Sequence, residues 1–283
     1  MSAFIIETRG LCYKYSDGTG ALQGIDLSIK RNCKVAVLGP NGAGKSTFFL
    51  HCNGLLKPGS GKLIFAGQEV EYSKNYLRHL RQKVGIVFQN PDQQLFSASV
   101  RQDISFGLLN AGCSKEETIL KIETIGRQLG ILELFNKPTH YLSVGQKKMV
   151  ALAGVLVMEP ELIICDEPTA GLDPVASAAL MEVLDKLHSN GTSIIISTHD
   201  VDQAYGWADQ IIILDRGRVL HQGRPTEVFS NRNILDQARL KKPWILETWE
   251  YMQSKGLVNS ELPPPNTREQ LFRLMPTAEN AYR

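Results

Sequence analysis

Gly39-Pro40-Asn41-Gly42-Ala43-Gly44-Lys45-Ser46-Thr47, placed directly after the apolar run Val35-Ala36-Val37-Leu38, is the stretch that decides the fold. Its spacing is G-x-x-x-x-G-K-[ST], the pattern of a strand, a phosphate-cradling loop and a helix. The glycines let backbone N–H groups turn inward around phosphate oxygens, and the helix that follows adds the positive end of its dipole. Lys45 is placed to reach the β- and γ-phosphates of a nucleotide. Ser46 is placed to set its hydroxyl on Mg²⁺, with Thr47 beside it in the opening helical turn. Residues Gly39 to Thr47 are therefore the first candidate binding residues. The plain alternative, a glycine-rich turn before a helix, is disfavoured once a strand and a helix flank the loop.

Outward from the loop, strand-length apolar runs recur: Val84 to Phe88, Leu162 to Cys165, Ser193 to Ser197 and Ile211 to Leu214. Three of them are followed by polar groups, namely Gln89, Asp166-Glu167 and Thr198-His199. In parallel α/β sheets ligands sit beyond the carboxyl ends of the strands, so these groups are expected at the edge that holds the loop. Asp166 and Glu167 fit a division of labour: Asp166 holds Mg²⁺ through water, and Glu167 orients or deprotonates the water that attacks the γ-phosphate.

The amino-terminal part reads as an antiparallel edge, with strands at Phe4–Thr8, Leu11–Tyr15 and Ile25–Ile29 and a turn at Asp17-Gly18-Thr19-Gly20. Tyr13 and Tyr15 share one face of a strand. Either can stack on an adenine ring or be a partly buried strand tyrosine. A further strand pair is expected near Lys62–Phe65 and Gln68–Val70. A mainly helical section follows from about 92 to 158, with a capping box at Ser114-Lys115-Glu116-Glu117. Asp215-Arg216-Gly217-Arg218 reads as a hairpin turn. From about Lys241 the character changes: Trp244, Ile245, Leu246, Trp249 and Met252 recur at helical spacing, and Thr267 caps a last amphipathic helix. This tail is either an interaction surface or an extension packed on its own domain.

Composition excludes more than it selects. The 283 residues carry 31 Lys and Arg against 29 Asp and Glu, so net charge names no nucleic acid or anionic surface as partner. The longest apolar stretch, Met149 to Met158, is about half the roughly 20 residues a membrane helix needs. The amino terminus lacks a basic n-region and a long enough apolar stretch for a secretory signal, so a cytosolic location is expected. Five scattered cysteines without a C-x-x-C pair indicate neither a disulfide framework nor a thiolate metal site.

Leu142-Ser143-Val144-Gly145-Gln146 resembles the signature motif of ATP-binding-cassette (ABC) ATPases. Gly171-Leu172-Asp173 resembles their D-loop, Gln89 their Q-loop glutamine and His199 their switch histidine, all in family order across roughly residues 4–240. The resemblance implies a P-loop NTPase of the ABC type: a mostly parallel core sheet with an antiparallel β edge, a helical subdomain and, here, a C-terminal helical extension over 241–283. It implies ATP and Mg²⁺ as cofactors, Tyr15 on adenine, and Ser46, Gln89 and Asp166 around the metal. Glu167, His199 and Gln89 become the catalytic set. Ser143, Gly145 and Gln146 then serve nucleotide held by a second ATPase chain, a homodimer in the simplest case, with Asp173 coupling the two sites. Val144 departs from the usual glycine, and its β-branch restricts the backbone there. Lys147-Lys148 is expected to be a solvated helix face.

The segment Phe88-Gln89-Asn90-Pro91-Asp92-Gln93-Gln94-Leu95-Phe96-Ser97-Ala98-Ser99-Val100 is similar to the Q-loop region of energy-coupling-factor (ECF) ATPases. Gly145-Gln146-Lys147-Lys148, Val155-Leu156-Val157-Met158-Glu159-Pro160 and Thr198-His199-Asp200-Val201-Asp202 resemble their cobalt-type (CbiO) branch. That implies a peripheral subunit at the cytoplasmic face, partnered by a transmembrane coupling subunit and a substrate-binding membrane subunit, importing cobalt, or else nickel or a vitamin. The rival is a soluble ABC ATPase acting on DNA or ribosomes. About a hundred residues separate Lys45 from Ser143, too few for a long inserted coiled coil, and the chain carries one P-loop rather than two, so no nucleic-acid partner is expected.

Overall fold

The computed structural model describes residues 2–259 and 261–275. Among the described residues ten strands run β1 Phe4–Lys14, β2 Gly20–Lys30, β3 Lys34–Leu38, β4 Ser60–Phe65, β5 Gln68–Glu69, β6 Val84–Val87, β7 Leu162–Cys165, β8 Ser193–Ser197, β9 Gln210–Asp215 and β10 Arg218–Gly223. Helices are α1 Lys45–Cys52, α2 Lys74–Lys83, α3 Val100–Ala111, α4 Lys115–Gln128, α5 Val144–Leu156, α6 Pro174–Ser189, α7 Val201–Trp207, α8 Pro225–Ser230, α9 Arg232–Ala238, α10 Trp244–Ser254 and α11 Arg268–Leu274.

The strands form two sheets. The larger has the order β10-β9-β3-β8-β7-β6, parallel except for the edge strand β10. The other, β2-β1-β4-β5, is antiparallel. Strands β7 and β8 are buried at every position, as expected of parallel strands covered on both faces. Alternation sorts their side chains. Val35, Val37, Ile195 and Ile212 face a core shared with α1 and the antiparallel sheet, through Phe48, Phe49, Ile25 and Ile29. Ala36, Leu38, Ile194, Ile196, Ile211 and Ile213 face the opposite way, into a core filled by α3 to α11.

The two expected strands at Phe4–Thr8 and Leu11–Tyr15 are one strand, β1, whose register shifts between Thr8 and Leu11, where Gly10 takes a positive φ of 57°. A bulge absorbs the extra residues without ending the ladder. Helix α2 has no counterpart in the sequence pattern: its run is basic, only Leu80 is buried, and Ser73 caps it. The 92–158 section contains α3, α4 and α5, and Ser114 and Glu117 form the capping box at α4.

Lys147 and Lys148 do not lie on a solvated face. Lys147 pairs with Asp92 at 2.7 Å, and Lys148 is 2% exposed. The reason is helical phase: Lys148 stands three and four residues before the buried Ala151 and Leu152, on the core-facing side of α5.

The tail packs on the same chain. Ile245, Leu246, Trp249, Met252 and Leu271 belong to the core on the helical side of the parallel sheet. Asp202 of α7 accepts the Trp244 N–H at 2.7 Å, and the Tyr205 hydroxyl donates to the Pro265 carbonyl at 3.1 Å. The part of the expected extension from 276 to 283 lies outside the described residues. Among the described residues no helix is long and apolar enough to cross a membrane.

Candidate functional site

The strand β3 delivers the chain into the phosphate loop, and two glycines there cannot be replaced by a larger residue without displacing backbone. Gly39 has φ 146°, and a Cβ on it would lie 2.1 Å from the Leu214 carbonyl oxygen. Gly44, at φ 103°, is the N-cap of α1 and offers no side chain to its first turn. The N–H groups that open α1 are thus left for an anion, with the helix dipole behind them. Lys45, 7% exposed, donates to the carbonyls of Gly39 at 2.7 Å and Pro40 at 3.2 Å. Burial pushes its pKa down, while Glu167 and Asp166 pull it back up.

Asp166 follows β7 and meets the loop directly. Its Oδ2 accepts from the Ser46 hydroxyl at 2.5 Å, and its Oδ1 accepts from the Ser197 hydroxyl. A serine hydroxyl and a carboxylate converging this closely are hard oxygen donors of the kind Mg²⁺ takes together with phosphate oxygens. Glu167 adopts a positive φ of 48°, uncommon for a residue with a side chain. Its N–H donates to Ser197 Oγ at 2.8 Å, and its Oε1 stands 2.9 Å from His199 Nε2. Burial raises the Glu167 pKa above the ordinary carboxylate value; the neighbouring His199, Lys45 and Lys148 oppose the rise and Asp166 adds to it.

Gln89, Asp166, Glu167 and His199 line one cleft of about 280 Å³ with the loop residues Asn41 to Thr47. Tyr15 closes the same cleft, whereas Tyr13 does not line it. The Tyr15 hydroxyl bonds Thr47 Oγ1 at 2.9 Å, and its ring stands edge-on to Tyr13 with centroids 5.1 Å apart. At 38% exposure, Tyr15 retains an open surface on which a flat ring can lie.

The other candidates lie elsewhere. Ser143, Gly145, Gln146 and Asp173 line a separate cleft of about 470 Å³ that contains no phosphate-loop residue. Ser143 and Gln146 form the capping box of α5: Ser143 Oγ accepts from Gln146 N at 3.3 Å, and Gln146 Oε1 accepts from Ser143 N at 3.1 Å. The serine proton stays available for donation outward. Asp173 caps α6 by accepting from Val175 N and Ala176 N, each at 2.9 Å. Val144, the departure from the motif, is 50% exposed, and α5 begins on it without distortion of the capping box.

Two buried polar residues join the site without having been expected there. Ser197 links Asp166 to the Glu167 backbone; its only sequence sign is a serine closing an apolar strand just before Thr198-His199. Lys148 donates to the carbonyls of Glu167, Pro168 and Ala170 at 2.9, 2.8 and 2.8 Å. Its sign is the helical phase described above.

A family model described as ABC transporter matches residues 22–170. The energy-coupling factor transporter ATP-binding protein EcfA of Methanocaldococcus jannaschii is 45% identical over 258 residues, covering 91% of this chain and 92% of that protein. EcfA2 of Clostridium perfringens is 46% identical over 264 residues, 93% of each chain. Among solved structures, cbiO1 of Clostridium perfringens, part of the ABC transporter complex cbiONQ, superposes with a TM-score of 0.74 at 46% identity, over 88% of this chain and 100% of that one. A dimeric ATP-binding cassette in a post-hydrolysis state with ADP and Pi superposes with a TM-score of 0.72 at 26% identity, over 78% of this chain and 98% of that one. With its ordered motifs, its two-sheet cassette and this level of identity along almost its full length, the chain belongs to the ABC transporter family, among the energy-coupling-factor ATP-binding proteins.

Proposed function

We propose that this chain is the ATP-hydrolysing motor of an ECF-type importer, seated on the cytoplasmic face of a transmembrane coupling subunit and a substrate-binding membrane subunit, with cobalt as the cargo. The observation that carries the catalytic reading is the single cleft in which Lys45, Ser46, Gln89, Asp166, Glu167 and His199 meet. The importer reading rests on the identity to ECF ATP-binding proteins, and cobalt on the likeness to cbiO1. ATP lies with its adenine on Tyr15 and its phosphates in the Gly39–Thr47 loop. Residues 4–240 act as the ATP-binding domain, with 92–158 as its helical subdomain and 241–283 as an extension.

Ser46, Asp166 and Gln89 would hold Mg²⁺, which supplies charge neutralisation across the phosphates. Lys45 leaves its carbonyl partners to meet the β- and γ-phosphates. Glu167 takes the proton of the attacking water, with its raised pKa bringing it nearer to neutrality as a base. His199, 2.9 Å from Glu167, fixes that carboxylate and reaches the γ-phosphate. Since Ser143, Gly145 and Gln146 face a different cleft, they complete the site of a second, identical chain, and Asp173 lies at that junction. The dimeric cassette among the structural neighbours supports this arrangement.

Reconstitution tests the proposal. The chain is co-expressed with candidate membrane subunits, purified in detergent, and placed in proteoliposomes loaded with ATP on the side facing the cassette. Uptake of radiolabelled cobalt that stops in Lys45→Ala is the expected result. Absence of any stable membrane partner, with turnover stimulated by DNA or ribosomes, would overturn it. Uptake of nickel or a vitamin in place of cobalt would replace the cargo alone.

A further inference from the structure

Lys148 is the most deeply buried cation near the cleft, and the contacts of its ammonium are carbonyl oxygens. Three of them, from Glu167, Pro168 and Ala170, converge on one Nζ at 2.8 to 2.9 Å. Three donations require the ammonium form, because a neutral amine has only two N–H bonds. A cation 98% removed from solvent loses its hydration, so these carbonyls are what keeps it there. The three acceptors belong to the turn that begins with Glu167.

That turn is unusual at its first residue. Glu167 holds a left-handed φ of 48°, which a residue with a Cβ adopts only when its surroundings impose it. Both of its peptide groups are pinned from outside the turn: the N–H by Ser197 Oγ and the carbonyl by Lys148 Nζ. The direction of the Glu167 side chain follows from φ and ψ, so the pins at either side set where the carboxylate points. Lys148 also stands on α5, the helix that Ser143 and Gln146 open. A displacement of that helix is therefore passed to the base of the same chain through three hydrogen bonds.

We propose that Lys148 is a positioning residue for ATP hydrolysis: from the signature helix it clamps the 167–170 turn and holds the Glu167 carboxylate over the phosphate cleft. The role rests on Glu167 being the base. It is distinct from the solvated lysine that the sequence suggested and from any contact with nucleotide, since Lys148 does not line the phosphate cleft.

The test is a double-mutant cycle in the full-length chain, using Lys148→Met, Glu167→Gln and the pair, with single-turnover ATP hydrolysis and titration by a fluorescent ATP analogue. Methionine keeps the length and apolar stem of lysine and removes all three donors. The expected result is a fall of about 10- to 100-fold in the hydrolysis rate of Lys148→Met, the loss produced by misplacing a reacting group by roughly 1 Å. Nucleotide affinity should stay within about threefold, separating orientation from binding. In the Glu167→Gln background the same substitution should change the rate by less than about twofold, because the group it positions is gone. A near-wild-type rate for Lys148→Met, equal losses in both backgrounds, or affinity falling in step with rate would each overturn the role. If Lys148→Met gives no cooperative melt, Lys148→Gln, which keeps two donors, is judged by the same criteria. Normal turnover by Glu167→Gln alone would remove the base and this role together. A slow Glu167→Gln beside a fast Lys148→Met would remove only the role of Lys148.

Discussion

Replacing Ser197 with alanine removes one oxygen and strands two groups. Ser197 is fully buried, donates to Asp166 Oδ1 and accepts from Glu167 N. A hydrogen bond to an ionised partner contributes about 1.5–3 kcal/mol, and an orphaned buried N–H costs about 1–3 kcal/mol. The vacated volume, a single oxygen, is smaller than the roughly 10–15 Å³ of probe-occupied space a water needs, so no water restores the bonds. Allowing for overlap between these terms, the expected destabilisation is about 2–5 kcal/mol. At roughly 2–4 °C per kcal/mol for a domain of this size, the melting midpoint should fall by about 5–15 °C. Thermal unfolding followed by circular dichroism without nucleotide reads this directly, and the hydrolysis rate measured well below the new midpoint reads the loss of aim at Glu167, about 10-fold or more. A midpoint within about 1 °C of wild type, with unchanged turnover, would refute the view that Ser197 ties Asp166 to Glu167.

Glu167→Gln should slow hydrolysis by roughly 10²- to 10⁴-fold while leaving ATP binding intact, as read by turnover and nucleotide titration. The same variant has a stability signature. Burial raises the Glu167 pKa from the ordinary 4.5, so the folded chain retains a proton that the unfolded chain releases. That contribution is fully present below pH 4.5 and is lost as pH rises through the raised value, while glutamine has no charge to bury. Glu167→Gln should therefore melt above wild type at pH 8, with the gap closing toward pH 4.5; a gap that widens on acidification would contradict the burial. Trp249→Ala, at a site 1% exposed, should cost about 3–5 kcal/mol in denaturant titration. A loss below about 1 kcal/mol would mean α10 is not part of the core. Gly85→Ala places a Cβ 2.1 Å from Val155 Cγ1 and should cost about 1–3 kcal/mol, recovered in part by adding Val155→Ala.

The phosphate loop, the strand ends and the motifs were legible because each is a local pattern: glycine spacing, an apolar run, a polar residue at its close. The parallel sheet followed from them, since only a shared carboxyl edge brings Gln89, Asp166 and His199 to one cleft. Residues whose role depends on the opposite wall of the fold were not legible. Lys148 reads as one of two adjacent surface lysines until the phase of α5 turns it toward the carbonyls beyond β7. Ser197 reads as a strand terminus until β8 lies beside β7. Helix α2 was hidden for another reason: its apolar stripe, Tyr76, Leu77 and Leu80, spans little more than one turn within a basic run. Strand pattern alone left Tyr13 and Tyr15 equivalent, and the family resemblance selected Tyr15; in the structure Tyr15 lines the cleft, its hydroxyl on Thr47 Oγ1.

Helix α10 is seated against α7, and α11 packs on α10, which bears on how the molecule is made. Translation releases the strands that carry the cleft before Trp249 and Leu271, yet these later residues belong to the same core as Tyr205. An emerging cassette therefore waits with an uncovered apolar face until the ribosome has delivered the segment that seals it. A pause or truncation before α10 and α11 should leave an aggregation-prone intermediate.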